Sequence, residues 1–241
     1  MENQDEKRLL IGSTVIPMML VAVMWVVKIV EVVFHLDFSF LGIKPISPEG
    51  IPGIILFHFI HGDWEHLFAN TIPILVLGSA LYYFYRPIAN KILLILMLTT
   101  GLLTWCGARS GVHIGASGLV YGLTFFLMPS GFIRKDKKLI IISLVVVFLY
   151  GSLVWGLYPK YAIENNISWE GHLSGFVMGI VLAIFYKNEG VRNGNGDGNE
   201  YGDEGDEDDI DDIDPETQKP YWDVPVPDKD ELTVKSRNLR F

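Results

Sequence analysis

A serine and a histidine that could cooperate in nucleophilic catalysis stand in matching surroundings in this sequence. Ser117 lies in the stretch Gly-Ala-Ser-Gly at 115–118, and His172 lies in Gly-His-Leu-Ser-Gly at 171–175. In both places a polar loop passes into an apolar run. A serine hydroxyl is a weak nucleophile unless a neighbouring base takes its proton. The pair therefore predicts acyl-transfer chemistry, provided that the fold brings the two side chains together.

Two further polar residues, His66 and Asn70, are spaced to share one face of a helix. Both side chains are costly at membrane depth unless they face a polar cavity. They could donate hydrogen bonds to a developing oxyanion, where the loss of one donor costs about 3 to 4 kcal/mol of transition-state stabilisation. They could equally serve as hydrogen-bonding contacts between helices, and their spacing alone leaves both interpretations open.

Glycines accompany both halves of the serine and histidine pair at helical spacing. They are Gly118 and Gly122 beside Ser117 and Tyr121, and Gly175 and Gly179 beside His172. Small residues at such spacing let membrane helices approach closely. We expect the two glycine stripes to touch and to carry the imidazole to the hydroxyl. Each feature also has a simpler explanation: the serine could cap a helix, the histidine could lie at an interface, and the glycines could serve packing alone. The joint placement of all three favours the catalytic interpretation.

The composition predicts an all-α membrane protein that crosses the bilayer several times. Half of the 241 residues are hydrophobic, the mean hydropathy is positive, and the apolar residues come in long blocks. Six spans are predicted, at 9–33, 66–85, 88–106, 117–128, 139–157 and 172–186. The span at 117–128 is too short to cross alone, so we expect it to begin in a water-accessible hollow. The segment 34–65 makes no clean span and is predicted to be a partly embedded first loop.

Basic residues decide which ends of the spans face the cytoplasm. One side of the six-span arrangement carries most of them, namely Lys7, Arg8, Arg86, Lys91, Arg134, Lys135, Lys137, Lys138 and Lys187. By the positive-inside rule both termini are cytoplasmic. His66, Ser117 and His172 then each begin a helix that descends from the outer face, so the three side chains are expected at similar depth.

The net charge of −9 belongs to the end of the chain. Residues 187–241 contain 17 acidic and 7 basic residues, whereas residues 1–186 are nearly neutral. Residues 188–214 hold too few apolar side chains to fold, and no loop there has calcium-binding spacing. Three parts are predicted, a cytoplasmic N-terminus at 1–8, a six-helix membrane domain at 9–187 and a disordered acidic cytoplasmic tail at 188–241.

The one cysteine, Cys106, excludes an intramolecular disulfide and is expected to be buried.

Taken together, three motifs resemble the signature of the rhomboid intramembrane serine proteases. They are Gly115-Ala116-Ser117-Gly118 with Tyr121, His66 with Asn70, and Gly171-His172-Leu173-Ser174-Gly175 with Gly179. The motifs occur in the family's order, and the resemblance covers residues 9–186. It implies a six-helix rhomboid-like bundle with a catalytic dyad of Ser117 and His172. It also implies an oxyanion site built from His66, Asn70 and the Ser117 amide, with Tyr121 packed against the base.

The resemblance also implies what such a protein acts on. Members of the family hydrolyse a peptide bond in or near the transmembrane segment of another, single-pass membrane protein. The implied partners are these substrates and the lipid bilayer. No nucleic acid, cofactor or metal is expected. The expected location is the bacterial plasma membrane. The first loop is shorter than in better-known members and lacks their Trp-Arg pair. Glu170 is expected to be exposed in a loop, which predicts a dyad without a carboxylate.

Three alternatives have their own sequence features. A zinc site would use the histidines that share the outer side, at 58, 61, 66, 113 and 172, but no second histidine stands four residues from His66 with a glutamate between. A catalytically inactive rhomboid relative that acts as a binding or trafficking scaffold would usually lack Ser117 or His172. A transporter or channel would need ionisable groups spread across the membrane, whereas here they cluster at one face.

Overall fold

The computed structural model describes residues 2–149, 156–164 and 167–189, and its regular structure there is helical. The α-helices are α1 (Glu2–Phe34), α2 (Gly53–Leu56), α3 (Trp64–Phe84), α4 (Ala89–Gly107), α5 (Ser117–Arg134), α6 (Lys137–Leu149), α7 (Pro159–Glu164) and α8 (Trp169–Phe185). The first loop adds 3-10 turns at Ser39–Leu41, Pro48–Gly50 and Phe57–Phe59. The predicted all-α fold class is confirmed. The predicted tail lies outside the described residues beyond position 189.

Three helices are long and apolar enough to cross a membrane within the described part of the chain. They are α1, α3 and α4, while α8 is apolar but has only 17 residues. The predicted fifth span runs through 150–155, which lie outside the described residues, and Leu157 at its end lies in a turn. The count of six spans and the three-part division of the chain therefore stay predictions.

Helix α5 occupies the centre of the bundle. It packs against α3, α4, α6 and α8, and its large side chains Leu119, Leu123 and Phe126 are fully buried. A helix that is apolar on every face belongs in the interior, where no face meets a polar medium. Helix α1, by contrast, packs mainly on α3 and leaves much of its apolar surface exposed. Ser117 therefore stands at the first residue of the most enclosed helix.

Helix α5 is longer than predicted. It continues through Pro129 to Arg134, a length of 18 residues, so the prediction of an end at residue 128 is wrong. Membrane helices tolerate an internal proline where neighbouring groups satisfy the freed carbonyl. The helix ends where Lys135 adopts a left-handed conformation and its N–H bonds the carbonyls of Gly131 and Phe132. The sequence predicts a water-accessible hollow at Ser117 because a helix of 117–128 would be too short to cross the membrane. The observed length of 18 residues removes that reason.

The first loop is bonded to the segment that leads into Ser117. Ile43 and His113 exchange two backbone hydrogen bonds of 2.9 Å. The Gly115 N–H donates to the Phe57 carbonyl at 2.8 Å. The loop therefore helps to fix the backbone just before the serine, while its partial embedding in the bilayer stays a prediction.

Cys106 is exposed, so the prediction of its burial is wrong. The buried stripe of α4 runs through Leu96, Thr100 and Thr104. Cys106 lies two positions after Thr104, and residues two apart on a helix point to different sides. The thiol consequently faces away from the bundle.

Candidate active site

The structure brings Ser117 and His172 together. Ser117 is the first residue of α5, and His172 lies in the first turn of α8. The His172 Nε2 atom is 2.8 Å from the Ser117 Oγ atom. The imidazole is buried and the serine is half-buried. Two residues 55 positions apart in the chain thus form one hydrogen-bonded pair.

The second ring nitrogen of His172 fixes which way this hydrogen bond runs. His172 Nδ1 is 2.9 Å from the carbonyl oxygen of Gly156. A carbonyl only accepts, so Nδ1 carries the proton and donates it. In a neutral imidazole Nε2 then has the free lone pair and accepts from the Ser117 hydroxyl. This is the arrangement that a general base for serine requires.

Sequence reasoning missed Gly156, because a backbone carbonyl has no residue-type signature. Its lack of a side chain also matters. A Cβ at this position would lie 2.8 Å from His172 Nδ1 and would collide with the Tyr121 hydroxyl. Gly156 therefore supplies both an acceptor for the imidazole and the space in which the ring sits.

Tyr121 packs on the imidazole. It lies one helical turn after Ser117 and is almost completely buried. Its ring centroid is 4.2 Å from that of His172, and the two ring planes are 14° apart, so the rings stack. This contact and the Gly156 hydrogen bond together restrict the orientation of the imidazole.

Helices α5 and α8 touch through their backbones. A Cβ on Gly175 would collide with the carbonyl oxygen of Gly118, and a Cβ on Gly179 would overlap the backbone of Phe125 and Phe126. A Cβ on Gly118 would in turn lie 2.9 Å from the Gly171 carbonyl oxygen. The predicted meeting of the two glycine stripes is thus observed, and the close approach brings the imidazole within reach of the serine.

Gly115 is required by its own conformation as well as by its neighbours. Its φ of +109° lies in a region that residues with a side chain rarely adopt. A Cβ there would also lie 2.6 Å from the Nε2 and Cε1 atoms of His66. The His66 ring therefore covers the backbone two residues before Ser117.

His66 and Asn70 lie on α3, which packs against α5. The helix is capped by Asp63, whose side chain accepts from the His66 N–H at 2.7 Å. Asn70 is buried and donates one amide hydrogen to the His66 carbonyl at 2.9 Å. An amide group has two N–H donors, so a second donor remains. The structure thus places the His66 ring next to the serine loop, and the oxyanion role of both residues stays a proposal.

Two more histidines, His58 and His61, lie in the loop before α3, and His61 stands beside His66. The His61 ring is 5.0 Å from the His66 ring, and its Nε2 atom is 3.5 Å from the Ala116 nitrogen. Burial, with the neighbouring His66 next in size, lowers the pKa of His61 to about 3. Burial likewise lowers the pKa of His58 to about 4. Both rings are therefore neutral at pH 7. Across 2–149, 156–164 and 167–189, no three His, Cys, Asp or Glu side chains are grouped to hold a metal ion.

An ion pair at the far end of α1 supports this loop. Lys28 donates from Nζ to the carbonyls of His61 and Gly62, at 3.0 and 2.9 Å, and lies 3.3 Å from a Glu31 oxygen. The other Glu31 oxygen accepts from the Phe38 N–H at 2.9 Å. Both charged side chains are mostly buried, with relative exposures of 11% and 7%. The sequence carries a signal for this pair, because two ionisable residues inside an apolar helix mark a position with a specific role.

Replacing Lys28 alone should destabilise the protein more than replacing the pair. In Lys28→Met the Glu31 carboxylate stays buried without its cation, and we expect a loss of about 3 kcal/mol in the free energy of unfolding. Lys28→Met combined with Glu31→Gln should recover part of this loss, because no buried charge remains. Thermal unfolding in detergent measures both changes. Equal stability of the single and double variants would contradict a buried ion pair.

Glu170 is buried, so the prediction of an exposed loop position is wrong. Helix α8 begins at Trp169, earlier than predicted, and Glu170 lies in its first turn. Both Glu170 oxygens accept from Arg109 Nη1, at 2.9 and 2.8 Å, and Arg109 Nη2 donates to the Ile167 carbonyl at 2.9 Å. The carboxylate thus joins the loop before Ser117 to the start of α8. It does not serve His172 Nδ1, which Gly156 occupies.

Removing the Glu170 charge should affect stability rather than chemistry. In Glu170→Gln we expect cleavage within about threefold of wild type and a lower melting temperature. Arg109 is 37% exposed, so the coupling energy in a double-mutant cycle with Arg109→Gln should be about 1 kcal/mol. A loss of cleavage as large as that of His172→Ala would make Glu170 a third catalytic group.

The fold and this site define a class, an all-helical membrane protein with a serine and histidine pair between two helices in backbone contact. The family model for the Rhomboid domain matches residues 49–189. The chain is 37% identical over 196 residues to an uncharacterized protein of Mycobacterium tuberculosis, covering 76% of this chain and 78% of that relative. It is 27% identical over 145 residues to RHOMBOID-like protein 4 of Arabidopsis thaliana, covering 58% and 36%. The chain belongs to the rhomboid family and is an integral membrane protein.

Proposed function

We propose that this chain is an intramembrane serine endopeptidase with Ser117 as nucleophile and His172 as base. The observation that carries the proposal is the 2.8 Å contact between Oγ and Nε2, with the Nδ1 proton held by the Gly156 carbonyl. Membership of the rhomboid family supports a protease-like function. The burial of His172 and the short contact of its Nε2 atom with Ser117 Oγ support proton transfer between serine and histidine.

In the first half of the reaction, Ser117 Oγ attacks the carbonyl carbon of the scissile bond while its proton passes to His172 Nε2. The imidazolium is then held by the Gly156 carbonyl at Nδ1 and by the Tyr121 ring stacked on it. As the tetrahedral intermediate collapses, the carbon–nitrogen bond breaks and Nε2 returns the proton to the leaving amine. An acyl-enzyme ester on Ser117 remains.

In the second half, water attacks the ester carbonyl carbon while His172 Nε2 takes its proton. The bond between that carbon and Ser117 Oγ then breaks, Nε2 returns the proton to Oγ, and the carboxylic product leaves. The negative oxygen of each intermediate requires donors that are in place beforehand. We assign this role to the His66 ring, the Asn70 amide and the Ser117 N–H. Support comes from the His66 ring over Gly115 and from the position of Ser117 at a helix start, where backbone N–H groups lack helical partners.

The proposed substrates are single-pass membrane proteins, cut in or near their transmembrane segments at the outer face. The basic residues support an orientation with both termini in the cytoplasm, and this orientation places the pair in the outer half of the bilayer. The proposed location is the bacterial plasma membrane. No cofactor takes part in the proposed reaction.

Reconstitution with a reporter tests the activity itself. The purified chain is placed in liposomes with a single-span protein whose transmembrane segment contains small residues next to a helix-weakening one. We expect two fragments, with mass spectrometry placing the cut in or beside the span. Reporters that bind and remain intact would contradict the proposal and support a scaffold.

A further inference from the structure

A polar cavity lies between α1 and α3, away from the serine and histidine pair. The two helices touch where a Cβ on Gly78 would lie 2.8 Å from the Pro17 ring. Closer to the start of α1 they leave a cavity of about 290 Å³. Its lining residues are Arg8, Leu9, Gly12, Ser13, Tyr82 and Arg86. No atom lies within 4 Å of the place where a Gly12 Cβ would stand, so this wall is open.

The residues that line the cavity include two arginines and no acidic residue. Within the described part of the chain neither Arg8 nor Arg86 makes a hydrogen bond or ion pair. Two guanidinium groups at one cavity repel each other unless an anion lies between them. Arginine prefers carboxylate and phosphate anions, which it binds through paired N–H donors.

The surroundings of the cavity favour a phosphate that carries apolar chains. Apolar residues of α1 next to the cavity are exposed, with 56% of Leu10, 58% of Ile11 and 48% of Val15 accessible. In an integral membrane protein these side chains face acyl chains. A phosphate held by the arginines would therefore be continuous with hydrocarbon along α1. We propose that this cavity binds the headgroup phosphate of an anionic phospholipid.

The cavity lies at the end of the bundle opposite the serine. The Arg134 guanidinium, at the end of α5, lies 5.3 Å from the centre of the Tyr85 ring, which directly follows α3. The ends of α3 and α5 are therefore at the same level, whereas Ser117 begins α5 at the other level. In the predicted orientation the cavity faces the cytoplasmic leaflet, where anionic lipids attract basic residues. The inference is thus independent of the proposed proteolysis.

Native mass spectrometry of the full chain in neutral detergent tests the inference. The protein is titrated with phosphatidylglycerol, with phosphatidylcholine and with inorganic phosphate. Three variants are compared with wild type. The arginine variant combines Arg8→Gln with Arg86→Gln, and the charge-matched lysine variant combines Lys137→Gln with Lys138→Gln. The third variant is Gly12→Leu. The two lysines are exposed residues of α6 that do not line the cavity. Gly12→Leu adds a bulky side chain at the cavity wall and keeps both arginines.

We expect one phosphatidylglycerol to bind wild type and the lysine variant equally. Phosphatidylglycerol should bind the arginine variant about tenfold more weakly, because charge-assisted hydrogen bonds are lost. It should also bind Gly12→Leu about tenfold more weakly. Phosphatidylcholine should bind at least tenfold more weakly than phosphatidylglycerol. The melting temperature without lipid should stay the same in the arginine variant, because neither guanidinium makes a hydrogen bond or ion pair with the residues that the structure describes. Equal losses in the arginine and lysine variants, equal retention of both lipids, or displacement of the lipid by equimolar inorganic phosphate would overturn the inference.

Discussion

Ser117→Ala should reduce cleavage by at least about 1,000-fold while leaving the melting temperature within a few degrees of wild type. The variant removes the proposed nucleophile, and the proposal leaves only catalysis by binding and oxyanion contacts. Initial rates on the liposome reporter measure the loss. Ser174→Ala is the matched control, because Ser174 is a buried serine whose hydroxyl donates to the Glu170 carbonyl of its own helix. We expect this control to cleave normally.

His172→Ala should cause a loss of the same size, and the double variant with Ser117→Ala should be no slower than either single one. Two groups that perform one proton transfer act as a unit, so their losses do not add. Losses that multiply in the double variant would mean that the two residues act separately. That result would contradict the role of the 2.8 Å hydrogen bond between them.

Gly175→Val should reduce cleavage by about 100-fold or more, although it replaces no polar side chain of the site. Its new Cβ would collide with the Gly118 carbonyl oxygen and lie 2.9 Å from the Gly122 nitrogen, both backbone atoms of α5. The helices must separate, which moves the imidazole away from the serine. Misplacement by about 1 Å can cost about 100-fold in rate, and overpacking should lower the free energy of unfolding by about 1 to 3 kcal/mol.

Gly107→Val provides the control for this change. Gly107 is also helical, but nothing lies within 4 Å of the position of its Cβ. We expect this variant to keep its cleavage rate, with only a small change in melting temperature. A Gly175→Val protein that cleaves as fast as the control would show that the backbone contact is not needed to position His172.

The parts of the site that depend on local pattern could be predicted from the sequence. Small residues at helical spacing indicated that α5 and α8 approach closely, because the absence of side chains is itself the cause of the contact. The positions of Ser117 and His172 at the start of their helices follow from the change from polar to apolar sequence. The structure accordingly brings these residues together where the pattern predicted.

The parts that depend on partners distant in the chain could not be predicted. The sequence predicts a loop position for Glu170 because an unpaired carboxylate avoids burial. The ion pair with Arg109, 61 residues away, makes the burial possible. The acceptor for His172 is a backbone carbonyl, which every residue possesses. Pro129 usually ends a helix in water, but in a membrane bundle it is tolerated.

Labelling with a fluorophosphonate tests most directly whether Ser117 is a nucleophile activated by His172. The reagent forms a phosphorus–oxygen bond with an activated serine and releases fluoride, so it requires no knowledge of the substrate. In detergent, wild type should gain one label whose position maps to Ser117, while Ser117→Ala and His172→Ala should gain none. Equal labelling of wild type and Ser117→Ala would contradict the account.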